Sequence, residues 1–340
     1  MATLTDTAKA LVADHKGLLA MDESMPTCNK RFAALGIPQT EEMRRQWRQL
    51  IVTAPGLGDS ISGAILFDET VHQSTEAGES FVDVLTSAGI IPGIKLDQGA
   101  VDLPFHAGEK LTEGLDGLRD RLERYAGLGM RFAKWRAVIA IDDTLPSRAC
   151  IAVNAHALAR YAALCQEAGI VPIVEPEVLM DGGHTLQRCA SVTDQVLHEL
   201  FDQLHRQDVA LEGLLLKPNM VLPGLKCATQ DADDEVAAAT IGTFLRAVPA
   251  AVPGIVFLSG GQSAALASSR LNAMNLQYRG RLPWAVTFSY SRAIQQPALD
   301  AWHGDAAQVG SAQQALVHRA ACNRAARQGR YSASMERAAA

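Results

Sequence analysis

The feature that most constrains the fold is a series of eight short apolar runs, each bounded by glycine, proline or a turn. Longer amphipathic stretches separate these runs. Because parallel strands need a crossover connection, strands that alternate with helices predict a parallel sheet, and eight of them can close into a barrel. We therefore expect an α/β protein with the (β/α)₈, or TIM-barrel, architecture. The predicted strands are residues 18–21, 61–67, 90–96, 132–141, 170–176, 211–218, 254–261 and 284–290.

Four long segments between these strands have the character of helices, and the last begins with an acidic first turn that suits a helix N-terminus. These predicted helices are residues 40–53, 146–168, 185–207 and 231–248. The segment before the first strand and the tail after Gln308 are expected to be extra outer helices. No linker or repeat divides the chain, so the prediction is one barrel domain over residues 1–340, with a core of about 10–330 and a short tail at 331–340.

Composition excludes several classes of protein. The chain is 48% apolar and 20% charged, which excludes intrinsic disorder. A formal net charge of −6 gives no electrostatic reason to expect nucleic acid or an anionic membrane as a partner. Six cysteines without a C-x-x-C pair are typical of reduced thiols, and the first twenty residues lack the apolar region of a secretory signal. We expect a cytoplasmic protein without a membrane span.

Charged side chains stand in or directly after the predicted strands, where burial makes each of them costly. Nearly all lie at the carboxyl ends of their strands, the face on which barrel enzymes keep their active sites. A structural ion pair explains any one of them as well as catalysis does. It explains the whole group poorly, because buried ion pairs rarely improve stability. The group comprises Asp22, Lys95, Lys134, Glu175, Glu177 and Lys217.

Several lysines beside carboxylates indicate amine chemistry that needs no metal. An amine that attacks a carbonyl must first lose its proton, and burial together with a second ammonium favours the neutral form. Lys217 follows three leucines and is the best candidate, with Lys134 as the second ammonium. The sequence alone does not rank Lys217 above Lys95 or Lys134. The carboxylates can then carry the protons that imine formation and carbon–carbon cleavage require.

Two groups of residues predict anion sites at the same end of the barrel. The turn Ser259-Gly260-Gly261 precedes a helical stretch, so its backbone N–H groups could face an anion, and Arg292 follows the eighth strand. A Ser-Gly-Gly turn by itself is more often only a turn. A second anion could be held by Arg31, Lys95 or Arg136, and two such groups indicate a substrate with two phosphates.

Neither a metal nor a nucleotide cofactor is expected. The nine histidines form no H-x-x-H or H-E-x-x-H pattern, and the chain has no G-x-G-x-x-G or Walker loop. His198 and His205 would share one helix face, but a solvated stripe explains them better than a metal site.

A series of motifs, in order along the chain, resembles class I fructose-bisphosphate aldolases, the metal-independent Schiff-base type. The resemblance extends from about Ala10 to Tyr331 and is closer to the photosynthetic and bacterial members than to the animal ones. The motifs are LLAMDES, GAILFDET, PGIKLDQG, GLDGL, RFAKWRAV, ARYA, VPIVEPE, LLLKPNMV, VPGIVFLSGGQS, LNAMN and TFSYSRA.

The resemblance implies the reversible cleavage of fructose 1,6-bisphosphate to dihydroxyacetone phosphate and glyceraldehyde 3-phosphate, by a homotetramer without a cofactor. Lys217 would form the imine, and Glu175, supported by Glu177, would transfer protons during its formation. Asp22 would take the proton of the carbon 4 hydroxyl, and Lys134 would assist imine formation. The implied carbon 1 phosphate site is Ser259, Gly260, Gly261, Ser289 and Arg292, and the implied carbon 6 phosphate end is Thr27, Arg31, Lys95 and Arg136.

The chain departs from the family pattern at several positions. Thr27 stands where many members have Ser, and Ser291 replaces a Gly or Ala beside Arg292. The family tail usually ends in a Tyr that aids proton transfer, whereas the last tyrosine here is Tyr331. Two alternatives therefore stay open: a Schiff-base aldolase that prefers sedoheptulose 1,7-bisphosphate or fructose 1-phosphate, and a non-catalytic barrel that binds sugar phosphates as a scaffold.

Overall fold

The computed structural model describes residues 3–339 and contains a closed barrel of eight parallel strands, which confirms the predicted TIM-barrel architecture. Residues 1, 2 and 340 of the predicted domain lie outside the described part. In order around the barrel, the strands are β1 (Gly17–Met21), β2 (Ile61–Leu66), β3 (Ile91–Lys95), β6 (Phe132–Ile139), β7 (Val171–Val178), β8 (Leu215–Leu216), β9 (Gly254–Phe257) and β10 (Ala285–Tyr290). A separate antiparallel hairpin, which was not predicted, consists of β4 (Gly99–Asp102) and β5 (Lys110–Glu113).

Helices connect and surround the strands. They are α1 (Leu4–Leu11), α2 (Met25–Ala34), α3 (Glu41–Val52), α4 (Asp68–Val71), α5 (Phe81–Ser87), α6 (Leu118–Gly127), α7 (Arg148–Glu167), α8 (Leu186–Arg206), α9 (Asp233–Ala247), α10 (Ala264–Gln277), α11 (Arg292–Trp302) and α12 (Val309–Arg327). The four predicted helices correspond to α3, α7, α8 and α9. Hydroxyls at Thr40, Ser147 and Thr185 accept hydrogen bonds from backbone N–H groups in the first turns of α3, α7 and α8, so these helices begin where the sequence supplies a cap.

Two strands are shorter than predicted. The predicted strand 211–218 contains a 3₁₀ turn at Leu211–Gly213 and only two residues of β8. Pro218 has no N–H for a strand ladder, which limits β8 at its other end. The predicted strand 254–261 ends at Phe257, and Gly260 and Gly261 have φ values of 53° and 80°, which lie outside the strand region.

The N-terminal helix α1 lies across the amino-terminal end of the barrel, whereas an outer position was expected. Leu11 and Val12, at and after its end, pack against inward-facing strand residues such as Phe132. Glycines leave room for them: a Cβ on Gly63 would lie 2.6 Å from Leu11 Cδ2, and one on Gly254 would lie 2.6 Å from Val12 Cγ1. An apolar plug therefore closes the barrel at this end, and the polar interior positions are left at the other.

Strand alternation brings the charged residues into the interior at the carboxyl-terminal end. Lys134 and Arg136 are two residues apart on β6, as are Glu175 and Glu177 on β7, so each pair faces the same side of its strand. Arg136 stands directly opposite Glu175 in the parallel register of β6 and β7. The predicted outer position of the C-terminal segment is confirmed, because α12 packs on α10 and α11.

Candidate active site

A cavity of about 360 Å³ opens at the carboxyl-terminal end of the barrel, and we call it the barrel mouth. Thirteen of the fourteen predicted site residues line it. They are Asp22, Thr27, Arg31, Lys95, Lys134, Arg136, Glu175, Glu177, Lys217, Ser259, Gly260, Ser289 and Arg292. Gly261 does not line the cavity but lies beside it, because a Cβ at that position would be 3.8 Å from Nη2 of Arg292.

Lys134 is surrounded by three carboxylates. Its Nζ lies 2.7 Å from Asp22 Oδ2, 3.5 Å from Glu175 Oε2 and 3.7 Å from Asp97 Oδ2. Burial alone would lower the pKa of Lys134, but the charges of these three carboxylates raise it above its ordinary value. Lys134 therefore keeps its proton and acts as a fixed positive charge in the barrel mouth.

Lys217 forms fewer ion pairs than Lys134. Its Nζ lies 3.2 Å from Glu175 Oε1, and its side chain is only 5% exposed behind the buried leucines 214–216. Lys95, by contrast, forms an ion pair with Asp97 at 2.7 Å and also donates to the backbone carbonyl of Asp97 at 2.6 Å. The ion pairs thus distinguish the three lysines that the sequence left equal, because the nearest carboxylate oxygen is 3.2 Å from Nζ of Lys217 but 2.7 Å from that of Lys95 and of Lys134.

Glu175 stands between the two central lysines. Its Oε1 faces Lys217, whereas its Oε2 lies 3.5 Å from Lys134, is buried and has no hydrogen-bond partner. This second oxygen can therefore accept a proton and return it. Glu177, two residues further along β7, accepts a hydrogen bond from Nε of Arg136 and is engaged in that ion pair.

Asp22 directly follows β1 and contacts Lys134. Burial by itself would raise the pKa of Asp22, but the charges of Lys134, Lys217 and Lys95 and the hydrogen bond from Lys134 lower it to about 2. Asp22 is therefore a carboxylate at neutral pH, as a proton acceptor must be.

Groups without a partner line one side of the barrel mouth. The hydroxyl of Ser289 is buried and has no hydrogen-bond partner. Arg292 is exposed at the first position of α11 and lines the cavity. Ser259 and Gly260 line the same wall. A free hydroxyl and a guanidinium are the donors that bind phosphate oxygens best.

The predicted carbon 6 phosphate residues do not form one contact group. Lys95 and Arg136 are engaged in ion pairs, and the hydroxyl of Thr27 lies 3.1 Å from that of Ser24. Arg31 forms an ion pair with Glu23 at 2.7 Å and donates to the Ser291 hydroxyl at 3.1 Å. It therefore reaches toward the residue that precedes Arg292.

Sequence reasoning missed two carboxylates of the barrel mouth. Asp97 joins Lys95 to Lys134, and Glu23 accepts hydrogen bonds from Arg31 and from the Gln295 amide, the latter at 2.9 Å. Both follow the carboxyl end of a strand, so the criterion that found Asp22 would have found them.

Tyr331, the last tyrosine of the chain, does not line the barrel mouth. Its hydroxyl donates to Glu336 Oε1 at 2.6 Å, and its backbone N–H donates to Asn272 Oδ1 at 2.9 Å. Glu336 in turn forms an ion pair with Arg319 on α12 at 2.6 Å. No tyrosine among residues 3–339 lines this cavity.

Within 3–339, no group of three or more His, Cys, Asp or Glu side chains is arranged to hold a metal ion. All six cysteines are free thiols. The described helices lack the combination of length and apolar content that is needed to cross a bilayer.

Comparison with known proteins gives a consistent result. The family model described as "Glycolytic: Fructose-bisphosphate aldolase class-I" matches residues 3–340. A probable fructose-bisphosphate aldolase class 1 of Xylella fastidiosa is 54% identical over 329 residues, which cover 96% of this chain and 98% of the relative. The cytosolic fructose-bisphosphate aldolase 4 of Arabidopsis thaliana is 50% identical over 316 residues, covering 93% of this chain and 80% of the relative.

Among solved structures, fructose-bisphosphate aldolase of Plasmodium falciparum, in complex with TRAP and a small-molecule inhibitor, superposes with a TM-score of 0.95. The two chains are 47% identical, and the match covers 97% of this chain and 95% of the other.

Proposed function

Since this chain belongs to the class I fructose-bisphosphate aldolase family, we propose that Lys217 is the amine through which it cleaves fructose 1,6-bisphosphate. The enzyme is a lyase, and the products are dihydroxyacetone phosphate and glyceraldehyde 3-phosphate. The observation that carries the assignment of Lys217 is the contrast between two buried lysines. Three carboxylates lie within 4 Å of Lys134 Nζ, whereas Glu175 is the only one within 4 Å of Lys217 Nζ among residues 3–339.

Imine formation begins when the neutral amine of Lys217 attacks carbon 2 of the open-chain ketose. Glu175 gives a proton to the resulting carbinolamine hydroxyl, which leaves as water, and a protonated imine remains. The position of Glu175 between both lysines supports this role, because its free oxygen is 3.5 Å from the ammonium of Lys134.

Cleavage follows when Asp22 takes the proton from the carbon 4 hydroxyl. The bond between carbons 3 and 4 breaks, its electron pair moves into the protonated imine to give an enamine, and glyceraldehyde 3-phosphate leaves. Protonation of the enamine at carbon 3 and hydrolysis of the imine then release dihydroxyacetone phosphate. A low pKa of about 2 supports Asp22 as the acceptor, because it is ionised before the reaction begins.

In this proposal the two phosphates bind two different groups of residues in the barrel mouth, which adjoin where Arg31 contacts Ser291. Ser259, Gly260, Gly261, Ser289 and Arg292 receive the carbon 1 phosphate, and Thr27, Arg31, Lys95 and Arg136 receive the other. The orphaned hydroxyl of Ser289 supports the first assignment. The second requires phosphate to compete with Asp97, Glu23 and Glu177 for their cationic partners.

Borohydride reduction in the presence of dihydroxyacetone phosphate tests the assignment. We expect hydride to trap the imine as a stable secondary amine, and peptide mass mapping to find the adduct on the peptide that contains LLLKPNM. An adduct on Lys95 or Lys134 instead, or none at all, would refute Lys217 as the nucleophile. Adding EDTA to the same reaction should leave the yield unchanged.

The preferred ketose stays a prediction. Cationic groups on both sides of the cavity favour a bisphosphate over fructose 1-phosphate. Comparing kcat/KM for fructose 1,6-bisphosphate, sedoheptulose 1,7-bisphosphate and fructose 1-phosphate tests it, and a higher value for the monophosphate would contradict it.

Assembly and location are further parts of the proposal. We expect a cytoplasmic homotetramer, as the family resemblance implies. The six free thiols and the cytosolic Arabidopsis relative support this location. Light scattering coupled to gel filtration, together with cell fractionation, measures both properties.

A further inference from the structure

A second cavity, of about 590 Å³, lies at the amino-terminal end of the barrel, and we call it the amino-end cavity. His15 enters it from the loop before β1, and Trp284 and Ala285 enter it from the start of β10. Val286 also lines this cavity, and Ser289, three residues further along β10, lines the barrel mouth. At about 3.3 Å per strand residue, the two cavities are roughly 10 Å apart along β10. The second cavity is therefore separate from the aldolase site.

Positive charge is concentrated in this cavity. Arg279, Arg327, Arg330 and His15 line it, and no Asp or Glu does. Arg279 donates to the backbone carbonyl of Gln328 at 2.9 Å and Arg327 to the side chain of Asn275 at 3.2 Å, so neutral groups orient both guanidinium groups and leave their charge uncompensated. In a chain with a net charge of −6, such a group requires a local explanation.

The same positive charges act on the pKa of His15. Burial and the charges of Arg327, Arg324 and Arg330 lower this pKa, and the opposing charge of Asp14 is outweighed. The positive charges of these arginines thus favour the neutral form of the imidazole.

Two buried N–H groups in the cavity wall lack acceptors. Trp284 is 4% exposed, and its indole Nε1 has no hydrogen-bond partner. Arg327 Nε is also buried without a partner. Buried donors in proteins are nearly always satisfied by the protein or by ordered water, so these two require an acceptor outside the chain, either water or a ligand. The remaining wall is apolar at Leu282 and Pro283 and aromatic at Tyr278.

We propose that the amino-end cavity binds a nucleoside phosphate. The arginines would hold the phosphates, and the indole N–H and the Tyr278 ring would contact the base or sugar. A cavity of about 590 Å³ with an apolar wall is larger than an inorganic phosphate ion needs and falls in the range of small-molecule sites. The net charge of −6 disfavours a nucleic-acid polymer as the occupant.

Titration calorimetry with ATP tests the proposal. The barrel mouth also binds phosphates, so every protein in the comparison carries Arg292→Gln to weaken that site. We expect one ATP per chain, at least tenfold weaker binding after Arg279→Gln/Arg330→Gln, and a change below twofold after Arg148→Gln/Arg160→Gln. All four arginines are exposed, so the two double variants remove equal charge with little risk to the fold, which thermal melting checks.

Each outcome decides the point. If ATP affinity falls equally in the two double variants, the effect comes from overall charge and the proposed site is overturned. Unchanged binding after Arg279→Gln/Arg330→Gln would also overturn it. If tripolyphosphate binds as tightly as ATP, the site is not one for a nucleoside phosphate.

Fluorescence gives an independent readout. ATP in the cavity should change the emission of Trp284, and Trp284→Phe should abolish this change and weaken binding several-fold through loss of the indole donor. An unaltered change in the variant would contradict the proposal. Neither measurement uses aldol cleavage, so failure here is distinguishable from failure of the borohydride experiment.

Discussion

The two ends of the barrel differ in how far carboxylates compensate their positive charges. Six cationic side chains line the barrel mouth together with five carboxylates, and several of them form ion pairs. Three arginines and a histidine line the amino-end cavity with no carboxylate. Both ends carry an excess of cations in a chain whose net charge is −6.

This difference suits the barrel mouth to proton transfer and the amino-end cavity to binding alone. In the barrel mouth, unequal sharing of carboxylates gives neighbouring groups different proton affinities: the pKa of Lys134 is raised, and that of Asp22 falls to about 2. Such contrasts allow one group to accept a proton while another keeps its own. In the amino-end cavity, no carboxylate can take a proton from a ligand, so the cations there can hold an anion without transforming it.

The largest expected effect comes from removing the amine. Lys217→Ala should lower kcat by about 10⁴-fold or more, because the proposed mechanism forms the imine on this amine. The borohydride adduct should disappear, whereas ATP binding at the amino end should stay within twofold. Steady-state kinetics on Lys217→Ala, and calorimetry on Lys217→Ala combined with Arg292→Gln, measure the two effects. A loss of ATP binding in this variant would break the separation of the two ends.

A smaller effect is expected at the proton carrier. Glu175→Gln should lower kcat by about 10²- to 10⁴-fold, the usual range for a general acid or base. Glu177→Gln is the matched control, because Glu177 lies two residues along the same strand but is held by Arg136. We expect a smaller loss there. Equal losses in single-turnover experiments would assign the two carboxylates the same role.

Acid stability tests the charge pairing of the mouth. The pKa of Asp22 is about 2 in the folded protein against 3.8 in the unfolded chain, so its ionised form stabilises the fold above about pH 4. This stability is lost as the pH falls from about 4 to 2. Asp22→Asn should therefore flatten the pH dependence of the free energy of unfolding in that window, by up to about 2 kcal/mol. Urea unfolding of both proteins at pH 3, 4 and 5 measures it, and parallel curves would contradict it.

The smallest effect is expected at the amino end, in another pH window. The pKa of His15 lies below its unfolded value of 6.5, so the neutral ring is favoured in the fold and its contribution is lost as the pH falls below 6.5. A bound phosphate would raise this pKa, so ATP affinity should increase from pH 8 to pH 6. His15→Gln should flatten that increase. An increase of the same size in the variant would place the responsible group elsewhere.

Much of the fold was predictable because it depends on local pattern. Buried parallel strands appear as apolar runs between turns, and each of the eight predicted runs contains a barrel strand. The hairpin of β4 and β5 was not predicted because its strands are four residues each and β4 is mostly exposed, so no apolar run indicates them. The position of helix α1 at the end of the barrel was not predicted, because it depends on the space that Gly63 and Gly254 leave inside the barrel.

By itself, the sequence determined which kinds of side chain stand at the carboxyl ends of the strands, because strand period and burial are local properties of the chain. Only the tertiary structure decided how the carboxylates are distributed among the lysines. Lys134 contacts Asp22, which is more than a hundred residues away in the sequence, and Glu175, which is about forty residues away. The strength of an ion pair depends on distances of a few ångströms, which the sequence does not give. The amino-end cavity has the same origin, since it joins residue 15 to residues near 280 and 330 that only the closure of the barrel brings together.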